Sequence, residues 1–193
     1  TLLEGVVVTL TGIDVNGNPV SIETMTDVNG FYEFVDLLPG EYQVAVTIPT
    51  DSKVTGVDVG LDDAVDSDIN TTGILEVSLN AGDDVVIDGG LVETSSISGL
   101  AWIDANNDGI RDDSEVIFPG ISVTISGTDS QGNPVSITVP TGSDGTYIFT
   151  GVLPGEYTIT FSIPEGYVIS TVDQGDDTTD SDVSITTGAI NIS

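Results

Sequence analysis

The sequence contains no cysteine and no histidine among its 193 residues. Without cysteine the chain cannot form disulfide bonds, use a thiol nucleophile or build a zinc site from thiolates. Without histidine it cannot assemble a Ser-His-Asp triad or use imidazole as a base or a metal ligand. Because the most common catalytic groups are missing, we predict that this protein is not an enzyme.

Basic residues are almost as scarce. The sequence has two, Lys53 and Arg111, against 32 Asp and Glu residues, and its formal net charge is -30. A chain with so few cations cannot neutralise phosphates, so we expect no nucleic-acid partner. It lacks the basic clusters that bind anionic membranes and any apolar run long enough to span one, so we expect no membrane insertion. The charge also opposes the compact state through self-repulsion, unless high salt or bound multivalent cations reduce it.

The chain repeats itself. Residues 5–73 match residues 120–188, and the string LPGEY occurs at 38–42 and again at 153–157. The string DSD likewise occurs at 66–68 and at 180–182. Such self-similarity indicates two copies of one structural unit.

Each copy has the pattern of β-structure. In the first copy Tyr42, Val44 and Val46 alternate with more polar residues, and in the second copy Tyr157 and Ile159 do the same. This period of two places one face of a strand in a core and the other in water. Turn signals such as Asn-Gly separate several short segments of this kind, so we predict an all-β fold built as a sandwich of mostly antiparallel strands.

We place the boundary between two domains at residues 1–93 and 94–193. A strand over residues 84–92 is predicted to close the first domain, and one over residues 97–103 to open the second. The first domain lacks a counterpart of residues 97–115, and the second ends before a counterpart of residues 83–92. We therefore expect a part of a longer tandem array, with open sheet edges that a neighbouring repeat or a second copy of the chain fills.

The strongest local motif lies at residues 104–115 and fits D-x-[DN]-x-[DN]-G-x₅-E over its full length. Ca²⁺ takes roughly six to eight oxygen ligands, and this spacing supplies them from one loop. The alternative is an acidic turn that merely prefers solvent. Since strand patterns rather than helices flank the loop, we expect no sensor-like opening. The predicted ligands are the side chains of Asp104, Asn106, Asp108, Asp112 and Glu115 and the carbonyl oxygen of Ile110.

A second acidic cluster occurs once in each copy. So many carboxylates in one loop repel one another unless a cation bridges them, although a solvated acidic loop is the alternative and the spacing fits no single ligand template. The candidate ligands are Asp173, Asp176, Asp177, Asp180 and Asp182 in the second copy, and Asp62, Asp63, Asp66 and Asp68 in the first.

These motifs together resemble the SdrD B-like repeat family of bacterial surface proteins, which is related to the collagen-adhesin B-type fold. The residues that carry the resemblance are Gly99, Trp102 and the loop from Asp104 to Glu115, then Asp144, Gly145, Tyr147 and Phe149, then residues 153–157 and 180–182. The resemblance implies two tandem immunoglobulin-like, B-type sandwiches, bound Ca²⁺ and an extracellular location on a bacterial cell surface. It also implies a spacer or stalk role, in which the partners are neighbouring repeats of the same protein.

Two other functions remain open. Homotypic assembly through the open strand edges would make the chain a filament subunit completed by strand exchange. Alternatively the unit could be an adhesive module that binds a ligand, with Trp102 stacking on a sugar, although its place beside the calcium loop favours burial in the core.

Overall fold

The structure of the chain is a computed structural model that describes residues 2–57, 66–172, 174–176, 179–182 and 189–192. The chain divides into two compact units, Thr1–Glu93 and Thr94–Ser193. Both are built from antiparallel strands, and the described residues contain no helix. This part of the chain therefore has no helix that is long and apolar enough to cross a membrane. The prediction of an all-β fold with mostly antiparallel strands is confirmed.

Unit 1 is organised around a four-stranded antiparallel sheet with strand order β2-β1-β3-β5. A second, two-stranded sheet pairs β4 with β6. The strands are β1 (Val7–Asp14), β2 (Pro19–Met25), β3 (Gly40–Val46), β4 (Ser52–Val54), β5 (Ile74–Leu79) and β6 (Leu91–Glu93).

Unit 2 repeats this sheet with strand order β11-β10-β13-β14. It adds two smaller sheets, in which β7 pairs with β12 and β8 pairs with β9. The strands are β7 (Ser95–Leu100), β8 (Trp102–Ile103), β9 (Val116–Ile117), β10 (Ser122–Asp129), β11 (Pro134–Pro140), β12 (Thr146–Val152), β13 (Gly155–Phe161) and β14 (Ala189–Ile192).

The core of each unit follows the period-two pattern of the sequence. In β10, Val123 and Ile125 are fully buried while Ser122 is exposed. Burying each such side chain stabilises the fold by roughly 1.5–3 kcal/mol. The central pair of strands packs closely because Gly127 lies opposite Tyr157, where an added Cβ would come within 2.1 Å of the carbonyl oxygen of Glu156.

The aromatic segment after the turn forms a strand in unit 2 but not in unit 1. In unit 2, Tyr147 and Phe149 lie in β12, which pairs with β7, and both are buried. The equivalent residues Tyr32 and Phe34 are half-buried and lie outside any strand. Within the described residues, the backbone groups of residues 32–35 make no hydrogen bond. In unit 2 the partner strand is β7, whereas no described strand of unit 1 pairs with this segment.

The two strands predicted next to the boundary between the units both differ from the prediction. Instead of a strand over residues 84–92, only Leu91–Glu93 pairs, because the Asp88 amide donates to the carboxylate of Asp68 rather than to a backbone carbonyl. Instead of one strand over residues 97–103, β7 and β8 are separated at Ala101. Its amide donates to Gly145 and its carbonyl accepts from Phe118, which breaks the ladder.

Candidate functional site

The loop at residues 104–115 connects β8 to β9, and its first carboxylate organises the turn. The two oxygens of Asp104 accept hydrogen bonds from the backbone amides of Asn107 (2.6 Å) and Gly109 (2.8 Å). Burial acts to raise the pKa of Asp104, but these hydrogen bonds outweigh it, and its pKa lies below the usual value. Asp104 is therefore held in its ionised form, the form that binds a cation.

The middle of the loop places an amide between two carboxylates. The side-chain amide of Asn106 donates to Asp108 Oδ2 (2.8 Å) and to Asp112 Oδ2 (3.3 Å). The amide of Ile110 in turn donates to Asp108 Oδ1 at 2.9 Å. The positive end of the amide dipole thus separates two negative groups that would otherwise repel.

Glu115 closes the loop. One of its carboxylate oxygens accepts from the backbone amide of Ala105 (2.8 Å) and the other from that of Asp112 (3.2 Å). The last acidic residue of the motif is thereby tied to both the start and the middle of the loop.

The backbone of the loop requires unusual conformations at two positions. Asn107 and Gly109 have positive φ values of 59° and 80°. Gly109 is also crowded, since an added Cβ would lie 2.2 Å from the carbonyl oxygen of Thr171. Glycine is thus the residue that this position tolerates.

The donor set of this loop suits calcium in its chemistry, since its oxygens come from carboxylates, one side-chain amide and a backbone carbonyl. In the described part of the chain, however, no group of three or more acidic side chains is arranged as a metal site. The carboxylates instead accept hydrogen bonds from backbone amides, as described above. The predicted calcium ligands remain a prediction.

The second acidic cluster of unit 2 lies against the same loop. The amide of Arg111 donates to the carbonyl of Thr179 (2.8 Å), and the amide of Ser181 donates to the carbonyl of Gly109 (3.0 Å). These bonds form a small antiparallel bridge in which Ile110 faces Asp180. The sequence did not reveal this contact, because backbone pairing between distant loops has no side-chain signature.

Among the acids of this cluster that the structure describes, Asp180 is the most buried, with 7% of its surface exposed. Its Oδ2 accepts from the amide of Gly175 (2.8 Å), while its buried Oδ1 has no hydrogen-bond partner in the described residues. Asp176 and Asp182 belong to the same segment, and Asp176 accepts the amide of Asp180 at 3.1 Å. Asp173 and Asp177 lie outside the described residues.

In unit 1 the corresponding DSD segment, residues 66–68, forms hydrogen bonds with the backbone of residues 88 and 90. Asp68 exchanges two hydrogen bonds with Asp88, donating its amide to the Asp88 carbonyl (2.9 Å) and accepting the Asp88 amide on its carboxylate (2.6 Å). The neighbouring Ser67 is 3% exposed and accepts from the amide of Gly90. Asp66 is half-buried beside it, and Asp62 and Asp63 lie outside the described residues.

A cavity of about 1010 Å³ opens in unit 2 next to the loop. Trp102, the single tryptophan of the chain, lines it together with Phe118 and Tyr147. Trp102 is half-buried rather than enclosed in the core, and its Nε1 has no hydrogen-bond partner in the described residues. Burial raises the pKa of Tyr147, and the negative charge of Asp182 raises it further.

Comparison with known proteins gives a consistent result over both units. Residues 2–91 and 95–193 each match the family model of the SdrD B-like domain. Serine-aspartate repeat-containing protein F of Staphylococcus epidermidis is 37% identical over 191 residues, covering 98% of this chain. Serine-aspartate repeat-containing protein D of Staphylococcus aureus (strain Newman) is 34% identical over 190 residues, covering 97% of this chain.

The chain spans 10% and 14% of the length of these two relatives. Among solved structures, the minor pilin GBS52 of Streptococcus agalactiae aligns with 100% of this chain and 78% of its own. That alignment has a TM-score of 0.39 and 14% sequence identity.

Proposed function

The chain belongs to the SdrD B-like domain family of bacterial cell-surface proteins, and we propose that its two units form a calcium-stabilised, non-catalytic spacer. The family membership makes it an adhesin-type surface repeat. The proposal adds a physical role for the acidic loops, in which bound Ca²⁺ stiffens unit 2.

The observation that carries the proposal is the backbone bridge between residues 109–111 and 179–181. This bridge links the loop that holds Asp104 and Glu115 to the loop that holds Asp180. A cation bound by the first loop would therefore restrain the second loop as well. The ligands we propose are the six oxygen donors predicted from the spacing at residues 104–115.

The overall charge supports the same proposal. With a net charge of -30, the chain lowers its self-repulsion whenever a divalent cation neutralises two carboxylates. Calcium sites of extracellular modules often have dissociation constants of roughly 10⁻⁴–10⁻³ M. Millimolar calcium outside the cell would therefore occupy at least half of such sites, and nearly all of the tighter ones.

The chemistry of the described acids argues against catalysis. A general acid needs a carboxyl group with a raised pKa. The pKa of Asp104 is lowered, and so is the pKa of Asp144, which accepts hydrogen bonds from the hydroxyl and amide of Thr146. Acids of this kind stay ionised at neutral pH and suit cation binding and turn formation.

Thermal unfolding with and without calcium tests the proposal. We expect chelation to lower the unfolding temperature, with the larger loss in the transition of unit 2. A melt in excess chelator that matches the melt in millimolar calcium would refute it.

A second candidate function is assembly through strand exchange between copies. Strand exchange of this kind uses the backbone groups of an open sheet edge. Light scattering of two differently tagged copies at high concentration separates the candidates, because a spacer stays monomeric and a filament subunit forms mixed oligomers.

A further inference from the structure

The two basic residues of the chain determine where one class of protease can cut it. Proteases of trypsin-like specificity hold the side chain before the cleaved bond in a pocket that contains a carboxylate, so they cleave after Lys or Arg. The sequence contains one of each, Lys53 and Arg111. The residues that follow them are Val54 and Asp112, so two peptide bonds of the chain are chemically suitable for these enzymes.

Cleavage also requires an accessible backbone on both sides of the bond. A protease of this kind binds its substrate as an extended segment, whose amides and carbonyls pair with the enzyme. Backbone groups that are bonded within the fold must first be released, so the cutting rate follows the fraction of molecules in which the local structure is open. The surroundings of each basic residue therefore decide which bond is cut first.

The bond after Lys53 lies inside a strand of unit 1. Lys53 pairs with Val92 in the ladder between β4 and β6, and Val54 is 4% exposed. The amide of Thr55 donates to the carbonyl of Gly90 at 2.9 Å. Releasing this backbone means separating β4 from β6 and removing Val54 from the interior, so this bond becomes accessible when unit 1 unfolds.

The bond after Arg111 lies instead in an exposed loop of unit 2. Both Arg111 and Asp112 are exposed, and exposed polar loops are the preferred sites of proteolytic cuts. Two backbone groups just before the bond are nevertheless occupied. The amide of Arg111 donates to the carbonyl of Thr179 (2.8 Å), and the carbonyl of Gly109 accepts the amide of Ser181 (3.0 Å).

The residues after the bond form a tight turn, whereas a bound substrate is extended. The amide of Asp112 donates to the carboxylate of Glu115 (3.2 Å), and the amide of Glu115 donates to the carbonyl of Asp112 (3.0 Å). Within the described part of unit 2, none of residues 104–115 belongs to the hydrophobic core cluster. The loop can therefore open around Arg111 while the core stays packed.

We propose that the Arg111–Asp112 bond is where trypsin-like proteases first cut the folded chain, and that the bridge between residues 109–111 and 179–181 controls access to it. Cleavage adds one water molecule to the bond and leaves a carboxylate on Arg111 and an amine on Asp112. This cut requires local opening, whereas the cut after Lys53 requires unfolding of unit 1. The scarcity of basic residues thus confines cleavage by this class of protease to one bond of the folded chain.

The two fragments of the cut chain should remain associated. The cut separates β7 and β8 from the rest of unit 2, but β7 pairs with β12 and β8 pairs with β9 across it. Ile97 of β7 also packs against the core cluster of unit 2. We expect fragments 1–111 and 112–193 to elute together from a size-exclusion column in the absence of denaturant and to separate in urea.

The test is limited digestion of the full chain with trypsin in millimolar calcium, followed by mass spectrometry. We expect the first cut after Arg111 and no cut after Lys53 while unit 1 is folded. A synthetic peptide of residues 106–117 has the same residues around the bond but lacks the bridge. The folded chain should be cut at Arg111 at least about 100-fold more slowly than this peptide, because several backbone hydrogen bonds must open together.

Two substitutions of the basic residues identify the bond that is cut. Arg111→Gln should leave the folded chain intact under conditions in which the unmodified chain is cut. Lys53→Gln is the matched control, since it removes the other basic residue, and it should be cut at the unmodified rate. Circular dichroism verifies that both variants fold.

A second pair of substitutions tests control by the bridge. An added Cβ at Gly109 would lie 2.2 Å from the carbonyl oxygen of Thr171, so Gly109→Ala displaces the loop from the segment that it contacts. We expect cleavage after Arg111 to become at least about 10-fold faster. Gly132→Ala is the control, because Gly132 has a similar φ of 82° but lies in the turn between β10 and β11 with nothing within 4 Å.

Three results would overturn the proposal. The first is an initial cut after Lys53, or no cut at all until the whole chain unfolds. The second is cleavage after Arg111 at the same rate in the folded chain and in the peptide, which would show that the bridge does not restrict access. The third is the same rate in folded Gly109→Ala and Gly132→Ala.

Discussion

The backbone amide of Ser181 donates a 3.0 Å hydrogen bond to the carbonyl oxygen of Gly109. This bond, with its neighbour between Arg111 and Thr179, makes two loops that are about 70 residues apart in the chain behave as one structural element. Changes in either loop should therefore affect the stability of the other.

Replacing Gly109 with alanine should destabilise unit 2 more than the same change at Gly132. Both glycines have φ values near 80°, so both substitutions share the strain of a left-handed conformation. An added Cβ meets the carbonyl of Thr171 at Gly109, whereas at Gly132 nothing lies within 4 Å. Chemical denaturation should show Gly109→Ala to be about 1–3 kcal/mol less stable than Gly132→Ala. Equal losses would show that the close contact with Thr171 is unimportant.

Glu115→Gln should weaken calcium binding. The substitution retains the size of the side chain but removes the negative charge that we assign to the last ligand position. Isothermal titration calorimetry should show a loss of affinity of at least roughly 10-fold, the lower range for changes around a metal site. Glu165→Gln, at an exposed acid of unit 2, is the control and should bind calcium as the unmodified chain does. A loss of the same size in both variants would mean that calcium responds to net charge alone.

Ile125→Ala should cost about 2–5 kcal/mol of unfolding free energy, because the side chain is fully buried in the core of unit 2. The same change at Ile148, which is 55% exposed on β12, should cost less than about 1 kcal/mol. Urea unfolding of the two variants measures the difference. Similar losses would contradict the placement of Ile125 in the core and of Ile148 at the surface.

The phenol of Tyr32 should ionise at a higher pH than that of an exposed tyrosine. Burial raises the pKa of Tyr32 to about 12, and the charges of Asp88 and Asp68 add to the shift. Because the folded pKa lies above the unfolded value of about 10, the stability from the neutral phenol is fully present below pH 10. It is lost as the pH rises through about 12. Ultraviolet titration of the chain and of Tyr32→Phe isolates this group, and a difference spectrum that titrates near pH 10 would contradict the burial.

The sequence predicted the repeating sheet well, because alternation such as that of Val123 and Ile125 directly encodes which face is buried. The aromatic segment with Tyr32 and Phe34 follows an Asn-Gly turn, as Tyr147 and Phe149 follow an Asp-Gly turn, but it forms no strand. Alternation encodes a face and not a partner. β12 pairs with β7, whereas no described strand pairs with the segment of Tyr32 and Phe34. Side-chain pattern alone therefore cannot distinguish a paired strand from an unpaired one.

The acidic segments show a second limit. Asp68 and Asp104 both appear in the sequence as candidate calcium ligands, but their carboxylates have different local tasks in the structure. Asp68 accepts the amide of Asp88, 20 residues further along the chain, whereas Asp104 accepts amides within its own loop. One carboxylate binds a backbone amide far along the chain and the other shapes a local turn. The sequence does not distinguish the two, since both occur in stretches rich in Asp and Gly.

The most direct test of the account is a crystal structure of the chain grown in millimolar calcium, with anomalous scattering to identify the ion. We predict one Ca²⁺ in the loop at residues 104–115, coordinated by the side chains of Asp104, Asn106, Asp108, Asp112 and Glu115 and by the carbonyl of Ile110. A folded loop at that calcium concentration without an ion among these oxygens would contradict the account.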